Sequence, residues 1–191
     1  MDDESHAQVR SRNDMWVLIC EARDSLPPCK TEMYCNGRCQ KLAWGRHRRK
    51  CTVDLIRKVE KERVRVGRDD EAVAAAAFKV GRLFKAQDRF DEGAEWMLEA
   101  LRIYRLVHGE SHESVRATLG TLGDIYRRQG KLEEALKTQK QALRIARRVH
   151  GDESKEVANA LNNVASSFEK QGFYDRSMEK YEEAHDIFRS L

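Results

Sequence analysis

Proline is almost missing from this sequence: two residues, Pro27 and Pro28, stand side by side in a chain of 191. Proline breaks a helix when it falls inside one, so nothing after Pro28 carries that interruption. Charged residues at 36% suit exposed helices better than sheets. Long apolar runs are missing too. None approaches the ~20 residues of a membrane helix, which excludes a helical membrane-spanning protein. The start, MDDESHAQVRSRND, is acidic and polar, without the apolar stretch of a secretion signal. The five cysteines, an odd number with no export signal, therefore read as reduced thiols or metal ligands in a cytosolic or nuclear protein. Also missing are a nucleophile elbow, a P-loop and a dinucleotide fingerprint. The segment HGESH sets His108 and His112 four apart, but the next copy of that segment reads HGDES, so it reads as linker. The expectation is a non-enzyme.

What is present is repetition. QDRFDEGAE at Gln87, QGKLEEALK at Gln129 and QGFYDRSME at Gln171 are 42 residues apart, and RLVHGE and RRVHGD keep that offset through His108 and His150. Ala100, Ala142 and Ala184 stay in register, as do Ile103, Ile145 and Ile187. Within a copy the apolar period is helical. Leu119, Leu122, Gly123 and Tyr126 lead to a break at Gly130, after which come Ala135, Ala142, Leu143 and Ile145. This spacing predicts two amphipathic helices and a tight turn, with Gly130 and Gly172 at positive φ. Small residues at Gly81/Gly123/Ala165 and Gly93/Ala135/Ser177 would let paired helices approach closely, with Phe84/Tyr126/Phe168 filling the space beside them. Asp70 and Glu71 supply an N-cap and a favourable charge for the first copy.

The pattern resembles the tetratricopeptide repeat, in the 42-residue variety of kinesin light chains. VANALNNVASSFEKQGFYDRSMEKYEEA, with its paired Asn162 and Asn163, carries the likeness most clearly. The likeness covers roughly 70–191. A whole kinesin light chain is not indicated, since no long heptad segment precedes the repeats. The resemblance implies a right-handed helical stack whose concave side, lined by the first helix of each pair, binds polypeptides. By the family's register that side presents Ala75, Phe78, Arg82, Lys85 and Ala86, then Ala117, Gly120, Asp124, Arg127 and Arg128, then Asn159, Asn162, Ser166, Glu169 and Lys170. Five bases against two acids favour an acidic peptide, with Asn162 bonding its backbone. At the far end His185 stands where earlier copies have Leu101 and Leu143, yet Ile187, Phe188 and Leu191 still need cover. Further chain, a docked partner or end-to-end self-association would each supply it.

A second motif lies upstream. YCNGRCQKLAWGRHRRKC, Tyr34 to Cys51, reads C-x3-C, then Trp44, then H-x3-C. It resembles the second half of a MYND-type zinc finger, with Tyr34, Cys35, Cys39, Gln40, His47 and Cys51 in place and Trp44 one residue nearer Gln40. The first half departs from the family: Cys20 and Cys29 are present, but Val17 and Leu26 stand where their partner cysteines belong. The resemblance implies a cross-braced module with three protein ligands per site, Cys20, Cys35 and Cys39 for one and Cys29, His47 and Cys51 for the other. It also implies one or two zinc ions with incomplete shells, and a proline-containing peptide held near Gln40 and Trp44. Glu21, Asp24 or Glu32 would close a shell.

The chain thus divides into a flexible 1–15, a partial finger at 16–51, a basic connecting helix at 52–69 and three repeats at 70–109, 110–151 and 152–191. Within the connecting helix Val53, Ile56 and Val59 form one stripe, and Gly67 ends it. The fold class is all-α: a stack of three helix pairs behind a small zinc-finger-like module. Charge is uneven. Residues 38–68 carry +9, leaving −5 for the remainder of a chain whose net charge is +4. The expected function is a protein–protein adaptor with no membrane association. The alternative is a nucleic-acid-associated factor using segment 38–68, which steep salt dependence would reveal. Elemental analysis of the full chain is expected to show one or two zincs. Cys29→Ser should lose one ion and spare another, with release as pH falls because protons compete for thiolates. Metal-free protein from a chelator-free purification would show the finger to be a relic.

Overall fold

The computed structural model describes residues 44–191, and among them it contains helices and turns with no strand. The helices are α1 (Trp44–Val66), α2 (Glu71–Lys85), α3 (Phe90–His108), α4 (Glu113–Arg128), α5 (Leu132–His150), α6 (Lys155–Lys170) and α7 (Tyr174–Ser190). Each helix packs on the next, and α4 also touches α2 and α6. The helices therefore form pairs, α2/α3, α4/α5 and α6/α7, stacked as the 42-residue period requires. No described helix is long and apolar enough to cross a membrane.

The turns inside the pairs are chemically the same turn three times. Arg89 N–H donates to Phe84 O at 3.0 Å, Lys131 to Tyr126 at 2.9 Å and Phe173 to Phe168 at 3.0 Å. These bonds span five residues, closing each first helix in the manner of a Schellman motif. The motif needs a left-handed residue, which Gly130 (φ 78°) and Gly172 (φ 82°) supply; in the first copy Asp88 takes that conformation at φ 60°. Aspartate tolerates it better than most side-chain-bearing residues. The starts of the first helices are also in register but use three different chemistries. Ala72 N–H donates to the Asp70 carboxylate at 2.8 Å, Ser114 N–H to His112 Nδ1 at 3.2 Å and Val157 N–H to Ser154 Oγ at 3.4 Å. The HGESH segment is thus a linker whose last histidine caps a helix.

Paired helices approach at the small residues. A Cβ on Gly81 would stand 3.1 Å from the Gly93 carbonyl oxygen, and one on Gly123 would stand 3.3 Å from the Ala135 carbonyl oxygen and 2.6 Å from Gln139 Cγ. In the third pair Ser177 Oγ donates to the Ala165 carbonyl at 2.9 Å. Between pairs the packing is apolar. One buried cluster runs from Val59 through Ile103 and Leu119 to Ala142 and Ile145; the next begins on the other side of α5 at Leu143 and Ala146 and ends at Ala184. A buried hydrogen bond from Ser167 Oγ to Gln139 Oε1 at 2.5 Å joins α5 to α6.

Helix α1 is more than a connector, and its buried stripe differs from the expected one. Val53 is exposed, whereas Thr52 and Val59 are buried and Leu55 and Ile56 pack beside them. The helix rotates so that Thr52 Oγ1 accepts a hydrogen bond from Gln87 Nε2 at 2.7 Å. That polar contact places threonine inside, where apolarity alone would favour valine. Helix α1 meets α2 as α3 meets α4, so it closes the N-terminal end of the stack and covers Val73 and Val80. It ends at Gly67, with φ 97°.

Ala142 is buried in the apolar cluster that runs through the first two pairs. Ala142→Glu is therefore expected to lower unfolding stability by about 3 kcal/mol or more, because a lone charge there has no partner. Urea unfolding followed by circular dichroism measures it. An unchanged midpoint would show that the register is wrong.

Candidate functional site

All fifteen positions assigned to the concave side are half-buried or exposed on α2, α4 and α6 or at the ends of those helices. The helices that carry them contact one another in succession, so the three sets form one continuous face. Its centre is Asp124. The carboxylate pairs with Lys85 of α2, with Arg127 one turn on, and with Arg128 Nε at 3.9 Å. Burial alone pushes Asp124 up, but the Lys85 hydrogen bond and charge, joined by Arg127, overcome this and hold the carboxyl below its usual range. Lys85–Asp124 stitches the first repeat to the second. One repeat later the carboxylate position is Ser166, so Arg127, the counterpart of Lys85, turns back to Asp124.

The cationic character expected from counting charges is therefore partly internal: Lys85 and Arg127 are engaged. Arg82 stands over the Phe78 ring with its guanidinium carbon 5.9 Å from the centroid. Among the described residues Arg82, Asn159, Asn162 and Lys170 make no ion pair or side-chain hydrogen bond with other protein groups. Tyr181, which the sequence reading did not single out, reaches from α7 to donate to Glu169 Oε2 at 3.3 Å. Burial first, and then the Glu169 charge, push its phenol up. The signal was present in the repeat register, since Tyr181 occupies the position of buried Gln139.

Of the expected metal ligands, Cys20, Cys29, Cys35 and Cys39 lie outside the described residues, as does Gln40. The backbone of His47 and Cys51 belongs to the first turns of α1, which begins at Trp44. The two residues are thus about one helical turn apart, on the helix that closes the repeat stack.

Stacked antiparallel helix pairs with one continuous concave face define a class: a helical-repeat interaction scaffold. The chain belongs to the tetratricopeptide repeat family, whose model matches residues 72–148 and again 115–190. The MYND finger model matches residues 19–51, so the chain joins a finger of a zinc-binding class to the repeats. Solved structures agree on the fold. BtubC (BKLC) from P. vanneervenii aligns with a TM-score of 0.71 at 18% identity, over 77% of this chain and 58% of that one. A Podosopora anserina putative kinesin light chain with nearly identical TPR-like repeats aligns at 0.65 and 17% identity, over 75% of this chain and 68% of that one. The TPR domain of Arabidopsis FLU aligns at 0.55 and 18% identity, over 62% of this chain and 96% of that one. No curated protein matches.

Asp124→Asn removes the inter-repeat link and leaves three cations facing one another, with an expected loss of about 1 kcal/mol near neutral pH. A lowered folded-state pKa contributes stability that is full above the ordinary carboxylate value and lost as pH falls through the lowered one. The gap between wild type and variant should therefore hold at neutral pH and close through the acid range. Denaturation midpoints across pH measure it, and a gap independent of pH would contradict the pairing.

Proposed function

We propose that the protein is a non-catalytic adaptor that holds a partner polypeptide in the concave face of its repeats and a second, short peptide on its finger. The observation that supports the first half is the distribution of engaged and unengaged groups. Asp124 ties down Lys85 and Arg127 at the centre, while Arg82 on the first repeat and Asn162 and Lys170 on the third make no ion pair or side-chain hydrogen bond among the described residues. An extended segment crossing the face would meet a guanidinium on the first repeat, a primary amide able to bond its backbone on the third, and an ammonium beyond it. Carboxylates at matching spacing complete such a set. The preferred ligand is an acidic segment, contacting Phe78, Arg82 and Lys85, then Arg127 and Arg128 around Asp124, then Asn159, Asn162, Ser166 and Lys170.

For the finger, the donor set is one that zinc favours: five thiols and one imidazole within a short segment. Cys20, Cys35 and Cys39 would hold one ion and Cys29, His47 and Cys51 the other. Bound zinc would cross-link a segment too small for an apolar core. Gln40 and Trp44 are the proposed peptide contacts. The basic segment 38–68 supports the nucleic-acid reading less well than its charge suggests, because in α1 Arg63 pairs with Glu60 at 2.7 Å and Arg65 with Glu62 at 2.7 Å.

Selection of a random peptide library on the full chain tests the groove. Enrichment of Asp- and Glu-bearing sequences is expected. The variant Arg82→Glu/Arg128→Glu, which keeps Lys85, Asp124 and Arg127 and loses only the long Arg128–Asp124 contact, should bind the selected peptides at least ~10-fold more weakly at unchanged helicity. Selected peptides that bind the variant equally well would move the site off this face.

A further inference from the structure

The last helix exposes a seam most of which is covered in the other repeats, the exception being the position of Leu191, where Val107 and Val149 are also exposed. Tyr174, Met178, Tyr181, His185 and Phe188 recur at spacings of four and three along α7, and Leu191 follows three residues on. Tyr174 is 68% exposed, Met178 62%, Tyr181 38%, Phe188 40% and Leu191 68%, and His185 is exposed beside Asp186. Their counterparts one repeat earlier are Leu132, Leu136, Gln139, Leu143, Ala146 and Val149. Of these Gln139, Leu143 and Ala146 are buried and Leu136 packs into the cluster that α6 completes. The inner side of α7 is already used, since Ser177 and Ala184 are buried and Glu183 pairs with Arg147 of α5. A four–three apolar spacing is the pattern by which two helices pack as a shallow supercoil.

We infer that this seam is a two-fold interface with a second copy of the chain, α7 against α7 in antiparallel orientation. Two features of the seam select a second copy over another partner. First, the order of side chains is nearly palindromic, large–Met–Tyr from one end and large–Phe–His from the other. A two-fold axis near residue 183 then sets Tyr174 against Leu191, Met178 against Phe188 and Tyr181 against His185, each contact made twice, as an isologous interface requires. Second, the exposed charges flanking the seam are complementary under the same rotation. Asp175 of one copy comes beside Arg189 of the other, again twice, and Arg189 has no ion-pair partner of its own among the described residues. One flanking contact opposes the dimer, because Glu182 lies near the axis and faces its own copy. The seam is a single helix face, smaller than the ~800 Å² per partner of standard stable interfaces. The dimer is therefore weak and concentration-dependent. It is made by α7, whereas the concave face is built on α2, α4 and α6 and borders the seam where Tyr181 bonds Glu169.

Sedimentation velocity of the full chain over a concentration series tests this, with circular dichroism as the fold check. The mass should rise with concentration from 22.2 kDa toward twice that value. Met178→Glu, at an exposed position, should return it to monomer. Asp175→Arg and Arg189→Asp should each weaken the dimer ~5-fold or more by creating like-charge contacts, and the double exchange should restore it. Glu182→Gln should tighten it. A monomer at every concentration would overturn the proposal and leave the seam to another segment or protein. A dimer untouched by Met178→Glu, or single charge variants not rescued by the double exchange, would overturn the seam or its antiparallel register.

Discussion

Everything in this stack depends on how closely the two helices of a pair can approach. At Gly81 against Gly93 and Gly123 against Ala135, the space a methyl group would need is already within 3.1–3.3 Å of the facing helix's backbone. Such contact sets the angle and spacing of each pair, and through them the way one pair presents its outer apolar stripe to the next. The third pair reaches the same geometry with Ala165 and Ser177, adding a hydrogen bond in place of a missing side chain. Larger residues at these positions would widen each pair. The rise per repeat would change with them, and the fifteen face positions would no longer fall on one surface.

A repeat array has no single centre, so its ends must be managed separately from its middle. The N-terminal end is closed by α1, which takes the position of a preceding repeat's second helix without repeating its sequence. It does so with Thr52 and Val59 rather than with the repeat's alanines and leucines. The same helix carries His47 and Cys51 in its first turns. Finger and repeats are thereby joined through a continuous helix, and the orientation of the last finger residues is tied to the first repeat. The C-terminal end is treated differently, with one leucine exchanged for histidine and an aromatic seam left facing solvent.

Electrostatics act on this frame at two scales. Within the repeats the ion pairs are mostly one helical turn apart or between neighbouring helices, and most are exposed, contributing little each. Lys85–Asp124 differs because it crosses a repeat boundary on the concave face, where neighbouring bases share one carboxylate. The repeat itself explains the arrangement. Lys85 and Arg127 occupy the same register, but their partner register holds Asp124 once and Ser166 the next time, so one carboxylate serves both. The resulting face gathers three bases around one carboxylate at its centre and sets Arg82 and Lys170 toward its two ends, which a residue-by-residue charge count does not convey.

The period alone determined the class of fold. A 42-residue offset held without slippage by small residues, aromatics, turn glycines and caps leaves no freedom in which helices pair or where they turn, because each of those residues acts locally or on its immediate neighbour. The finger's tail was equally legible as spacing of thiols and imidazole. Tertiary structure decided what spacing leaves free. It rotated α1 to bury Thr52 instead of Val53, since a hydrogen bond to Gln87 depends on a helix 35 residues away. It made His112 a cap, and it placed Tyr181 over Glu169. It also turned five basic residues into three that share Asp124 and two that do not, because a salt bridge depends on distance across repeats, and the sequence records only the order in which charges occur.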